Sequence, residues 1–167
     1  MNKIRLSCRA VFLVLLGASA SFGFGQDFKV ESLKNLKAID VVVEGVSSEG
    51  RQTGLTTDQI ETDVELQLRK VGITIDESVS EYLYVNANIM KLESRDSYIY
   101  GISVAVWQPA YLRRDSSILT FGAATWDKST VGITPGNFAK NNIREAIREL
   151  VDQFLNDYLS VNPITRN

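Results

Sequence analysis

The chain has 167 residues, is 44% hydrophobic and carries a formal net charge of −2, which is enough for one globular domain with its own core. It has no histidine and one cysteine, Cys8. Those absences exclude a Ser-His-Asp triad, an imidazole metal ligand and a cysteine-based zinc site. No GxxxxGK(S/T) or GxGxxG loop occurs, so nothing in the sequence is built to cradle a phosphate.

Lys3, Arg5 and Arg9 precede residues 10–17 (AVFLVLLG), an apolar run too short to cross a bilayer. Small residues follow at Ala18-Ser19-Ala20 and again at Gly23-Phe24-Gly25. This pattern predicts a signal peptide over residues 1–25, cleaved after Ala20 or Gly25, and hence a bacterial periplasmic or secreted protein. Cys8 lies before the apolar run, whereas a lipid-attachment cysteine follows it, so lipidation is not expected. Removal of the three basic residues leaves 15 Lys+Arg against 20 Asp+Glu, a net charge of −5. With no basic block, neither nucleic acid nor an anionic membrane surface is an expected partner. No stable membrane span is expected once the signal is gone.

Residues 26–37 read as a polar, flexible lead-in. Residues 38–46 (AIDVVVEGV) read as a strand, with Ile39, Val41 and Val43 on one side and Asp40, Val42 and Glu44 on the other. Residues 47–54 are a turn-rich loop. A helix over residues 55–73 has the clearest signature. Thr56 and Gln59 have capping-box spacing, and Leu55 and Ile60 flank them as a hydrophobic staple. Ile60, Val64, Leu68 and Val71 form its apolar stripe. Asp58 and Glu61 at one end, and Arg69 and Lys70 at the other, oppose the macrodipole. Gly72 supplies the left-handed stop.

A short connection follows, with a brief extended piece at Ile73 and Ile75. Residues 81–93 (EYLYVNANIMKLE) alternate as a half-buried antiparallel strand, with Leu83, Val85, Ala87 and Ile89 on the core face. After a turn, residues 98–107 form the next strand, with Ile102, Val104 and Val106 inward. Pro109 marks a bulge or edge, and the strand continues through Tyr111-Leu112. Residues 113–116 are a turn, 117–126 the fourth strand and 127–137 a loop. A second helix over residues 137–159 carries Phe138, Ile143, Ile147, Leu150, Val151, Phe154, Leu155, Tyr158 and Leu159 as its apolar stripe. Asn162-Pro163 ends it.

The order β-α-β-β-β-α predicts a single α+β domain over residues 38–163. It is a two-layer sandwich, with a four-stranded, mainly antiparallel sheet and two helices on one face. The acidic group Asp58, Glu61, Asp63 and Glu65 is read as a solvated helix face and not a cation site, which needs ligands on a turn. No spacing singles out a carboxylate pair, so no catalytic residue, metal or cofactor is assigned.

The sheet face away from the helices is more informative. It gathers Tyr84, Asn86, Asn88, Ser103, Trp107 and Trp126 over small residues at Gly101, Ala105, Gly122 and Ala124. Aromatic rims around a floor of small residues suit a partner-binding surface. A face that simply meets water, or one buried in a homodimer, is the alternative.

This element order on an exported chain resembles small bacterial envelope modules. The amino-terminal domain of the Tol-system protein TolB and the lipopolysaccharide-assembly lipoprotein LptE are similar in topology. The segments LTTDQIETDVELQLRKVGI, LYVNANI and LVDQFLNDYLSVNP also resemble uncharacterised exported bacterial proteins. The resemblance implies a non-enzymatic module that binds another cell-envelope component. A small-ligand-binding protein, using the open face or a helix–sheet pocket, is the second expectation. A carboxylate-based hydrolase is the third.

Overall fold

In the computed structural model, residues 24–93 and 95–163 are described. The expected signal peptide lies outside them up to residue 23. The elements are α1 (Phe24–Glu31), β1 (Ala38–Val43), α2 (Ser48–Gln52), α3 (Thr57–Lys70), β2 (Thr74–Ile75), β3 (Tyr82–Leu92), β4 (Ser97–Leu112), β5 (Asp115–Pro135) and α4 (Ala139–Val161), with a 3-10 turn at Gly136–Phe138.

The fold is α+β, and its sheet is five-stranded and mixed, in the order β2-β1-β3-β4-β5. The sequence predicts four strands, mainly antiparallel. The difference has two causes. Ile75 pairs with Ile39, making a short fifth strand, β2. The chain also crosses over through α3 between β1 and β3, which forces β1 to pair parallel with β3. The remaining pairs, β3–β4 and β4–β5, are antiparallel.

Local chemistry explains why α3 begins and ends where it does. The Thr56 hydroxyl accepts from the Gln59 N–H at 3.2 Å. The reciprocal half of the capping box is not made, because the buried Gln59 Oε1 has no partner among the described residues. At the other end Gly72 takes φ +87°. The Gly72 N–H donates to the Arg69 carbonyl and the Ile73 N–H to the Leu68 carbonyl, the paired bonds of a Schellman stop.

Ile60, Val64 and Leu68 are buried from α3, and Ile143, Ile147, Leu150, Val151 and Phe154 from α4. Ile60 and Ile147 border one crevice, so the two apolar stripes lie side by side on the sheet. Leu83, Val85, Ala87, Ile89, Ile102, Val104 and Val106 rise from the sheet to meet them. The Arg144 guanidinium clamps Asp63 with nitrogens at 2.8 and 2.9 Å, and Gln67 donates to Asp152 at 2.8 Å, tying the two helices together.

Four local expectations are corrected. The lead-in is not loose: α1 packs on α4 and β5, and Leu33 and Leu36 enter the core. Asn162 at the end of α4 holds this segment, accepting from the Asn35 N–H at 2.7 Å and donating to the Leu33 carbonyl at 2.8 Å. The loop over residues 47–54 contains the one-turn α2, where the Ser47 hydroxyl accepts from the Gly50 N–H at 3.1 Å. Residues 127–135 are strand, not loop; Gly132 is tolerated because the Tyr100 ring lies against it, where a Cβ would sit 2.3 Å away. Phe138 is exposed, because it precedes the first full turn of α4.

Candidate functional site

The helix-free face of the sheet is built from alternate residues of four strands. Register places Tyr82 opposite Trp107, Tyr84 opposite Ala105, Asn86 opposite Ser103 and Asn88 opposite Gly101. Across β4, Ala105 faces Asp127, Ser103 faces Ser129 and Gly101 faces Val131. On the far side, Asp40 and Val42 of β1 stand beside Tyr82 and Tyr84. Five of the six residues singled out from sequence therefore share this face: Tyr84, Asn86, Asn88, Ser103 and Trp107.

Trp126 does not join them. It is fully buried on the helix side, its ring edge-on to Phe154 at 5.3 Å and its Nε1–H donating to Asp157 at 2.9 Å. The cause is a bulge. Val106 pairs with Trp126 but Trp107 pairs with Ala124, so Thr125 is an extra residue that inverts the alternation. Gln108 fastens the bulge by donating to the Thr125 hydroxyl at 2.7 Å and the Ser32 carbonyl at 3.2 Å.

Within the face, the Tyr84 hydroxyl and the Asn86 amide both donate to one carboxylate oxygen of Glu44. Asn88 donates on to Asn86 at 2.7 Å. Donation to Glu44 stabilises the neutral phenol and raises the Tyr84 pKa above its ordinary value. The Tyr82 and Trp107 rings stack with centroids 6.3 Å apart and planes 3° from parallel. A Cβ on Gly101 would meet nothing within 4 Å, so the floor is open there, whereas Gly122 lies beneath the Trp107 ring.

The structure adds an apolar end that the sequence reading left out. Met90, Ile99 and Ile133 stand in one cross-strand row, with Val131 beside them. Met90 is 61% exposed, Ile133 62% and Val131 78%. The signal is a run rich in β-branched residues, Thr130, Val131, Ile133 and Thr134, but Gly132 and Pro135 read as loop punctuation. The face thus grades from acidic and aromatic, near Asp40 and Glu44, to aliphatic near Ile133.

A separate groove of about 560 Å³ runs between α3 and α4, lined by Asp63, Leu66, Gln67, Arg148, Asp152 and Leu155 among others. Its two carboxylates are engaged by Arg144 and Gln67, so they act as struts between helices. Among the described residues, no three His, Cys, Asp or Glu side chains come together as metal ligands, and no helix is long and apolar enough to cross a membrane.

No protein-family model matches the chain, and no curated protein does. Among solved structures, two of PelC dodecamers from Paraburkholderia phytofirmans, one a point variant, align with TM-scores of 0.44 and 0.40. They are 13% and 15% identical, over 74% and 73% of this chain and 87% of theirs. A candidate lipoprotein from Caulobacter crescentus CB15 aligns at 16% identity over 83% of this chain and 98% of its own, with a TM-score of 0.36. No residue or activity is transferred from these likenesses.

Proposed function

We propose that this protein is a non-enzymatic, exported module that binds another component of the bacterial cell envelope through the helix-free face of its sheet. One observation carries the reading: a broad face combines a hydrogen-bonded polar row, stacked aromatics and exposed aliphatics around an open floor. Tyr82, Tyr84 and Trp107 supply rigid amphipathic area. Asn86, Asn88 and Ser103 supply donors and acceptors, and Val131 and Ile133 supply apolar surface that water hydrates poorly. Monomeric sheets that face water usually carry charges at such positions. The resemblance to TolB-like and LptE-like envelope modules that the sequence suggests is in keeping with this reading.

The absence of histidine, and of any cysteine beyond Cys8, supports a binding role over catalysis. Glu44, on the β1 margin of the face, is held by Tyr84 and Asn86 as an acceptor.

The test is partner recovery from native envelopes, with Tyr84→Ser and Trp107→Ser as variants. Both residues lie outside the buried core. A wild-type melting curve with loss of the recovered partner is the expected result. Unchanged recovery by a folded double variant would overturn the assignment of this face.

A further inference from the structure

β4 and β5 run on past the body of the molecule. The last pairing of β4 with β3 is at Trp107, but β4 continues to Leu112, turns at Arg113 and Arg114, and returns from Asp115. From Ala110 through Thr120 this ribbon has only two strands, and a two-stranded ribbon is marginal in water by itself. It nevertheless exposes large apolar side chains: Tyr111 and Phe121 are each 69% exposed, and Ile118 and Leu119 are also exposed. Its tip carries Arg113 and Arg114, neither of which is in an ion pair among the described residues. Asp115 instead accepts from the Ser117 N–H and hydroxyl at 3.0 and 2.6 Å, which shapes the turn.

The arm is basic and aromatic, and the β1 margin of the open face is acidic and aromatic. Asp40, Val42 and Glu44 line that margin beside Tyr82 and Tyr84, and neither Asp40 nor Glu44 is in an ion pair among the described residues. The two surfaces are complementary, and within one chain the arm lies far from Glu44. Glu44 lies at about the level of Asn86, opposite Ser103, nine residues along β4 from Leu112. At about 3.3 Å per residue that is about 30 Å, and the ribbon points away from Glu44.

We propose that the arm of one copy docks on the open face of a second copy, with Arg113 and Arg114 against Asp40 and Glu44 and with Tyr111 and Phe121 packed over Val42 and Tyr84. This inference rests on the reading of the open face as a binding surface and names a second copy of this chain as one of its occupants. The contact joins different patches on the two partners, so each copy can both give an arm and receive one.

The experiment is sedimentation or light scattering of the purified protein over a concentration series, with two charge-reversed variants. One is Arg113→Glu with Arg114→Glu; the other is Asp40→Arg with Glu44→Arg. The wild type is expected to associate, less so in high salt. Each variant alone sets like charges against each other and is expected to weaken association by about tenfold or more. An equimolar mixture restores complementarity at every junction and is expected to reassemble. The arm variant alters no core residue, so it stays informative if the face variant folds poorly. A wild type that is monomeric throughout, or an oligomer indifferent to the arm variant, overturns the proposal. So does arm-dependent binding to vesicles of phosphatidylglycerol and phosphatidylethanolamine without self-association, which would reassign the arm to a membrane surface. If self-association fails while Tyr84→Ser still loses an envelope partner, the open-face reading stands and the arm reading alone falls.

Discussion

The two faces of one sheet have opposite chemistry, although the same strands make both. On β3, the odd-numbered residues Leu83, Val85 and Ile89 are buried beneath the helices, and the even-numbered residues Tyr84, Asn86, Asn88 and Met90 look the other way. The helix-side residues are aliphatic and interchangeable in kind. Those on the open side are chemically diverse, and several are linked in a hydrogen-bonded row ending on Glu44. Burial selects for volume and apolarity, and an open face free of that demand can be shaped for recognition. The helix side therefore carries stability, and the open side is the region to probe for function.

The largest test of this division is Val64→Asp. Val64 is fully buried under the α3 stripe, and an unpaired carboxylate there costs several kcal/mol, a large share of a stability of about 5–15 kcal/mol. Loss of the cooperative unfolding transition is expected by circular dichroism; a near-wild-type melting temperature would refute the placement of α3.

A smaller effect is expected at the seam between the α1 segment and α4. Asn162→Ala removes the bonds to Asn35, Leu33 and Tyr158 and leaves partly buried backbone groups unmet, at a cost of about 1–3 kcal/mol. Urea unfolding measures it, and a change under about 0.5 kcal/mol, the size of an ordinary surface substitution, would show that residues 32–36 are not held as described.

The two faces each raise a tyrosine pKa, by different means. Burial raises the pKa of Tyr158, whose hydroxyl donates to the Leu36 carbonyl at 3.0 Å, and the bond to Glu44 raises that of Tyr84. A phenol with a raised folded pKa contributes stability that is fully present below its unfolded value, near 10, and is lost as pH rises through the folded value. Alkaline absorbance titration is expected to show a late-ionising component from Tyr84 and Tyr158, with stability falling in the same window. Tyr84→Phe should remove one late component without unfolding the protein. A titration with no late component would contradict both environments.

The smallest effect on folding is expected on the open floor. Ser103→Arg should change stability by less than about 0.5 kcal/mol, because the side chain extends into solvent, yet it should block the face. A large loss of stability would mean that the floor is packed and the contrast between faces is wrong.

Much of this was legible in the sequence, and the reasons are local. The α3 boundaries were readable because Thr56, Gly72 and the apolar stripe act within a few residues of one another. The alternation of β3 was readable because one clean period of two spans the element. What escaped depends on long-range contacts. Counting in twos from Gly122 puts Trp126 on the open face, and the bulge at Thr125, fixed by Gln108 seventeen residues earlier, breaks that count. The sequence ends β5 too soon because Gly132 looks like a breaker, whereas the Tyr100 ring covers it. The lead-in reads as loose because Leu33 and Leu36 have no periodic neighbours, and contacts distant in sequence, among them the end of α4, hold them. The parallel placement of β1 likewise follows from a crossover that no single segment encodes.

The most direct test of the central claim is photo-crosslinking in the native envelope, with a photoreactive residue placed at Gly101 on the open floor or at Leu66 on the exposed flank of α3. Covalent products from Gly101, and none from Leu66, are the predicted result. Products from Leu66 with none from Gly101 would contradict the account and move the binding surface to the helix layer.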